Sequence, residues 1–562
     1  MKNKFCRIGA WLLLPALFSG FFSGCAQQGT SASSAVVSSS ESHPVSASQD
    51  WAKAQTSPFV PYPQTVIYTL GKMCGSNNSN MPVGDTYENN AYTRYLKKML
   101  NIQNKNVFEV TDSANYEAEM ELAVANQSYP DVMLVNSRSF LKSMIQNDLV
   151  ANLTDAFNTC CSSRIQEIYR SYPGLINSVT FNGKIMALPE TDVYSGPNLL
   201  WLRRDWMDKL GLSAPKTLED AKKIIQAFIQ KDPGGNGTDK TLGLVCDSDL
   251  VGNTSTCYSI DPLFAQSDSY PQKWVHDSSG KIVYGSVTQS TKAALALIHQ
   301  WYHDGVIDPD FMLRTNDNAA SLITSGQSGA LFGWWWAPNN PLIECMKKNP
   351  SAKWEPFLLP VKQDGSVHAY IPPVSQKYIV VRKGYQHPEI VMKIMSMLYD
   401  YARYQDKSVQ ELQTYFSQNV DPTATPLVLN CDYSDAVTRT TNHILSVMHG
   451  TSPQNSLNLV ERAYYQNCRT FLTEDKKPAT DWAAYTSRIT AVKLLLSRKI
   501  TYMNQPLLYS DYNVPNDLME MEKEAFLKII IGDEPLSFFD TFVRNWYSSG
   551  GKQLTQQANA PQ

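Results

Sequence analysis

Short apolar runs set between amphipathic stretches constrain this chain more than any other feature. The segment at 63–69 reads as a strand, Tyr92–Leu100 has helical spacing, and NVFEV at 106–110 reads as a second strand. A helix over 115–126 leads into PDVMLV at 130–135, an apolar run of the kind that a parallel strand covered on both faces requires. Strand–helix–strand alternation at this spacing implies βαβ units and an α/β layered fold. It resumes with NLLWL at 198–202, which enters a helix start at RRDWMDKLGL. Thr217 and Asp220 have the spacing of a capping box, and their helix is expected to end near Gln230. From about residue 385 amphipathic helices dominate, HPEIVMKIMSMLYDYARY and MEKEAFLKIIIG among them.

The N-terminus says where this body folds. Lys2, Lys4 and Arg7 precede a mostly apolar run, Trp11 to Phe22, that is too short for a comfortable permanent span but suits a signal peptide. The run closes on Phe22-Ser23-Gly24-Cys25, which resembles a bacterial lipobox with Phe where Leu is usual. On that reading residues 1–24 are removed and Cys25 carries lipid. Residues 25–57 are rich in Ser, Ala and Gln and are expected to be a tether with too few apolar residues to fold. The expected location is the extracellular face of a bacterial cell membrane, held by the lipid. Hydrophobic residues make up 43% of the 562 against 18% charged, enough for a sizeable core. With 49 basic and 52 acidic residues the net charge is −3, which argues against nucleic acid as a partner.

Several chemistries are missing. There is no phosphate-binding GxxxxGK[ST] loop, no dinucleotide GxGxxG after a strand and no GxSxG elbow. The eight cysteines beyond Cys25 form no CxxC pair, so zinc-ribbon and thioredoxin-like readings fail; buried free thiols are expected at Cys160 and Cys161. His299 and His303 have metal-ligand spacing but no third ligand, and read as surface residues of an amphipathic helix.

A set of longer segments resembles the family 1 extracellular solute-binding proteins of bacterial ABC importers, in particular their long, oligosaccharide-type lipoproteins. These segments include YPDVMLVNS at 129–137, NGKIMALPET at 182–191, PNLLWLRRDWMDKLGL at 197–212, KDPGGNGTDKTLGL at 231–244, GALFGWWW at 329–336 and GDEPLSFFDTFVRNWYSSGG at 532–551. The resemblance implies a two-lobed, periplasmic-binding-protein-like fold of type II with the ligand cleft between the lobes. Residues 58–190 would form the first lobe, continued from about 375, and 195–370 the second. A helix-rich part, 385–562, would be shared between them. It also implies a monomer that captures an oligosaccharide by lobe closure and delivers it to an ABC permease, with no enzymatic activity.

Candidate ligand residues follow from what a sugar needs, rings for its C–H faces and polar groups for its hydroxyls. Trp334, Trp335 and Trp336 are the leading ones; in an extended segment alternate rings would point to opposite sides. Glu190, Asp192 and Tyr194 stand at the first crossing between lobes, Tyr370 at the return, and Asn77 and Asn78 in the loop after the first strand. Hinge hydrogen bonding is the alternative role for the crossing residues. The loop from Asp232 resembles the calcium loop of oligosaccharide-binding relatives, with Asp232, Asn236 and Thr238 as the ligands the resemblance implies for a structural ion. Gly234 and Lys240 stand where two further oxygen ligands are expected. Two rival readings remain on this scaffold: a glycan-cleaving enzyme using Glu190 and Asp192 as paired carboxylates, and a receptor for a peptide or other non-sugar solute.

Overall fold

The computed structural model describes residues 45–111, 113–191, 193, 196–251, 257–370, 377–503 and 514–560. Two sheets organise it. The first uses β1 (Val66–Met73), β2 (Ile102–Val110), β3 (Val132–Val135) and β4 (Leu188–Pro189), and the second uses β5 (Leu199–Arg203), β6 (Leu242–Val245), β7 (Ser328–Gly333) and β8 (Trp354–Phe357). After a short strand β9 (Val367–Ala369), the chain returns to the first sheet as β10 (Tyr378–Val381). The orders are β2-β1-β3-β10-β4 and β8-β5-β7-β6.

The apolar run of β3, Val-Met-Leu-Val, is buried at every residue, as is β10, Tyr-Ile-Val-Val. Strands covered on both faces cannot alternate polar and apolar residues, which is why these runs stood out in the sequence. Local signals fix the helices between them. Asn90 and Thr93 bond reciprocally at the start of Ala91–Leu100, and Thr217 and Asp220 do so at the start of Leu218–Lys231.

The C-terminal helices divide between the two cores. Ile390, Met392 and Leu412 pack with the first sheet, whereas Phe526, Phe539, Phe542 and Trp546 enter the core of the second with Trp206 and Phe228. Trp201 is also fully buried and donates from Nε1 to the Gly333 carbonyl (3.1 Å), so Trp201 and Trp206 are packing residues. His299 donates from Nδ1 to the Ile530 carbonyl (3.0 Å) and serves helix packing. The eight cysteines beyond Cys25 are free and buried.

The folded body begins earlier than the tether reading allowed. Val45–Gln55 is a helix, Ala54 is completely buried, and the Trp51 ring stacks on His387 at 5.4 Å. Buried Lys393 donates to the carbonyls of Ala54 (2.8 Å), Ser57 (2.7 Å) and Val60 (2.6 Å). A Ser-rich average hid two residues, Trp51 and Ala54, at the i, i+3 spacing that places them on one helix face. Cys25 lies outside the described residues.

Candidate ligand-binding cleft

Strand direction decides which ends of the sheets meet. β1, β2 and β3 are parallel and β10 is antiparallel to both β3 and β4, so the carboxyl ends of β1, β3 and β4 share an edge with the start of β10. In the second sheet β7 and β8 run antiparallel to β5, and β6 runs parallel to β7. The start of β5 therefore shares an edge with the ends of β6, β7 and β8. The segment 190–198 joins the two edges directly, so they are the two faces of the cleft. Open α/β sheets bind ligands at such carboxyl ends.

On the second-lobe face the chain leaves β7 at Gly333 and turns over Trp335–Ala337, where Ala337 N donates to the Trp334 carbonyl (2.9 Å). The three rings therefore do not alternate across a strand. Trp334 is buried and lines a narrow recess with Asn198, Asp261, Leu359, Pro360 and Tyr370. Trp335 lies under the Arg488 guanidinium at 4.5 Å, and Arg488 stacks on Tyr464 at 4.0 Å from the other side. Trp336 is half-buried against the same core as Trp335. The structure thus brings Trp334 to the recess and packs the other two beside it.

Two residues of this face escaped the sequence reading. Asn198, 2% exposed, donates from Nδ2 to Ser259 Oγ (3.0 Å) and Asp261 Oδ2 (3.1 Å), while its Oδ1 has no partner. A buried acceptor left without a donor costs about 1–3 kcal/mol, and such a group is kept where something else fills it. Asp247, just past β6, is buried; burial, then the Asp249 charge, pushes its carboxyl up to about 6. A perturbed carboxyl in a cleft marks a functional candidate.

The first-lobe face is different. Glu190 is buried, its Oε1 accepting from Asn430 N (3.1 Å) and pairing with Lys377 Nζ (3.5 Å). Asn77 and Asn78 fall in the turn Ser76–Asn80, where Asn78 is exposed and donates to the Asp85 carbonyl (3.1 Å). Ser79 bonds Tyr87 (2.8 Å) and Thr423. Tyr370, at the return crossing, donates to the Pro271 carbonyl and has Lys273 Nζ 5.2 Å from its ring centre. Asp192 and Tyr194 lie outside the described residues. One group at this edge was missed by sequence: Asn136, just after β3, whose Oδ1 and Nδ2 are both buried without a partner.

The family model described as bacterial extracellular solute-binding protein matches residues 91–416, more than half of the chain. The chain belongs to this family. YtcQ of Bacillus subtilis (strain 168), a polygalacturonan/rhamnogalacturonan-binding protein, is 24% identical over 455 residues, 78% of this chain and 82% of that protein. FusA of Streptococcus pneumoniae serotype 4, a fructooligosaccharide ABC transporter substrate-binding protein, is 29% identical over 143 residues, 25% of this chain and 26% of FusA. The solved structure of the alginate-binding protein AlgQ2 without calcium ion superposes with a TM-score of 0.59 at 14% identity, covering 90% of this chain and 98% of that one. The FusA EF-hand mutant from S. pneumoniae also gives 0.59 at 14%, covering 88% and 98%. Both establish the two-lobed fold with its cleft.

Within this family member the calcium loop departs from expectation. The Asp232 carboxylate accepts from Thr241 Oγ1 (2.6 Å), Gly237 N (2.9 Å) and Asn236 N (2.9 Å), and these donors hold its acidity below the usual carboxylate range. Asn236 donates from Nδ2 to Thr241 Oγ1 (2.9 Å) and the Gly326 carbonyl (3.0 Å). Calcium needs six to eight oxygens turned to one centre. Here the one aligned carboxylate faces N–H and O–H donors, Thr238 is exposed, and Gly234 packs on Trp206. The residues present do not fit a calcium cage, and no group of three His, Cys, Asp or Glu is placed to hold a metal among the described residues.

Proposed function

We propose that the protein captures an extracellular oligosaccharide in the cleft and hands it to an ABC permease, anchored to the outer face of the membrane through lipid on Cys25. The observation that carries this reading is the recess where Trp334 stands beside the unpartnered carbonyl oxygen of Asn198. A sugar unit brings both complements, a C–H face for the indole and a hydroxyl for the acceptor. The buried carboxyls of Asp247 and Asp261 supply further acceptors nearby. The named relatives supply the substrate class, since YtcQ, FusA and AlgQ2 are each named for a polysaccharide or oligosaccharide.

In this role the ligand leaves unchanged, so no catalytic residue is needed. Hinge closure about the segments near 190–198 and 370–377 encloses it, and the importer's own ATPase provides energy. The chain acts alone, as a monomer. The test is a thermal-stability screen against oligosaccharides, amino acids and peptides, with each mixture followed by mass spectrometry. A ligand at a hundred times its dissociation constant stabilises the native state by about 2.7 kcal/mol. Stabilisation by an intact oligosaccharide is expected. Cleavage of the glycan, or stabilisation by peptides alone, would overturn the reading.

A further inference from the structure

A second hollow, of about 440 Å3, lies away from the cleft. It opens between the helix Ser163–Arg170, the end of the helical segment Met397–Gln405, the helix Ala436–Met448 and the start of Leu459–Thr473. None of its walls comes from the second sheet. Three guanidiniums line it: Arg164, Arg403 and Arg439.

Each guanidinium is held rigid and only partly spent. Arg164 donates from Nε to Asp400 (2.9 Å) with its plane 4.0 Å from the Tyr404 ring centre. Arg403 donates from Nη2 to Asp432 (2.6 Å), and its buried Nε has no partner. Arg439 donates from Nε to Asp435 (2.6 Å) and lies 4.4 Å over the Tyr433 ring. The acids in the wall are already committed. Asp432 also takes its neighbour's amide, Tyr433 N (2.8 Å), and Glu461 accepts from Asn458 N (2.9 Å) and His443 Nδ1 (2.9 Å). What remains is a concave wall with N–H groups in surplus over acceptors.

We propose that this hollow binds a carboxylate-bearing sugar unit, a uronate. Guanidinium forks match a carboxylate bidentately, and forks fixed on tyrosine rings lose little freedom on binding. The volume is too large for a bare anion and lies in the range of small-ligand pockets. Neutral hydroxyls alone would leave the surplus donors, above all the buried Arg403 Nε, without charged acceptors. The sugar half of this assignment rests on the saccharide reading of the protein; the anion half stands on the arginines.

The test is calorimetric titration with D-galacturonate and with D-galactose, which differ only in the carboxylate, on the wild type, Arg439→Gln, Arg164→Gln/Arg439→Gln and Trp334→Ala. Arg439 is mostly solvent-exposed, so its single variant is expected to fold as the wild type does. Galacturonate is expected to bind, galactose not, and the double variant to weaken galacturonate by about tenfold or more, the single variant by less. Trp334→Ala should leave galacturonate binding unchanged. Equal binding of the two sugars, no binding of galacturonate, or full binding in the double variant would overturn the proposal. Loss of galacturonate binding in Trp334→Ala alone would place the anion in the cleft, sinking this site while leaving the saccharide reading intact. Retained galacturonate binding with no oligosaccharide response in the stability screen would do the reverse.

Discussion

The two faces of the cleft spend their polar groups differently. On the first-lobe face Glu190, Asn78 and Ser79 are bonded to their own lobe, and Asn136 is the one described cleft residue there with a wholly unpartnered buried side chain. On the second-lobe face Asn198 keeps an unpartnered acceptor beside a buried indole, and Asp247 is a buried carboxyl with raised pKa. A face with bonded polar groups is built to hold its shape, whereas a face with an orphaned acceptor gains a partner when ligand arrives. The comparison assigns recognition mainly to the second lobe and enclosure to the first.

The largest expected effect sharpens the contrast at the level of stability. Glu522, on the helix Asn516–Ile531 that closes the second core, is fully buried, and burial pushes its carboxyl up to about 7 against the Ser286 and Tyr284 hydroxyls. The folded form therefore favours the protonated acid. The stabilisation is complete below the unfolded value near 4.5 and is lost as pH rises toward 7, on the order of 3 kcal/mol in all. Thermal melts should fall across that window, and Glu522→Gln should flatten the fall. Hydrogen exchange should place the softening in the second lobe; a uniform loss over both lobes would break the contrast.

Next in size is Trp334→Ala, which removes the ring of the recess and should weaken oligosaccharide binding by about 2–3 kcal/mol in a titration. Asn198→Ala should weaken it by about 1–2 kcal/mol while stability changes little, because an unsatisfied acceptor leaves along with two donated bonds. The smallest effect belongs to the first-lobe face: Asn78→Ala, at an exposed turn, should alter affinity by less than about 0.5 kcal/mol. If Asn78→Ala proved as costly as Asn198→Ala, the division of labour between the faces would be wrong.

Much of the scaffold was legible because its signals are local. The buried runs of β3 and β10 and the Thr217–Asp220 cap each follow from a few adjacent residues. The site was less legible because its defining properties are tertiary. The WWW triplet drew the eye to the right segment, but the turn after Gly333 decided that only Trp334 reaches the recess. Asn198 looked like the first residue of a strand; its value lies in an oxygen that the fold leaves unpaired. Glu522 sits in an unremarkable run, MEKEAF, and nothing local shows that its carboxyl is buried. The Asp232 loop was misjudged for the opposite reason, since its motif spacing survives while Thr241, outside the motif, occupies the carboxylate.

The central claim is that the second-lobe face recognises an intact saccharide. Backbone hydrogen exchange, with and without the oligosaccharide that most stabilises the protein, tests it most directly. Protection concentrated at 334–337 and 197–198, with weaker protection at 76–80, is the predicted result. Stabilisation by the sugar without protection at 334–337 would contradict it.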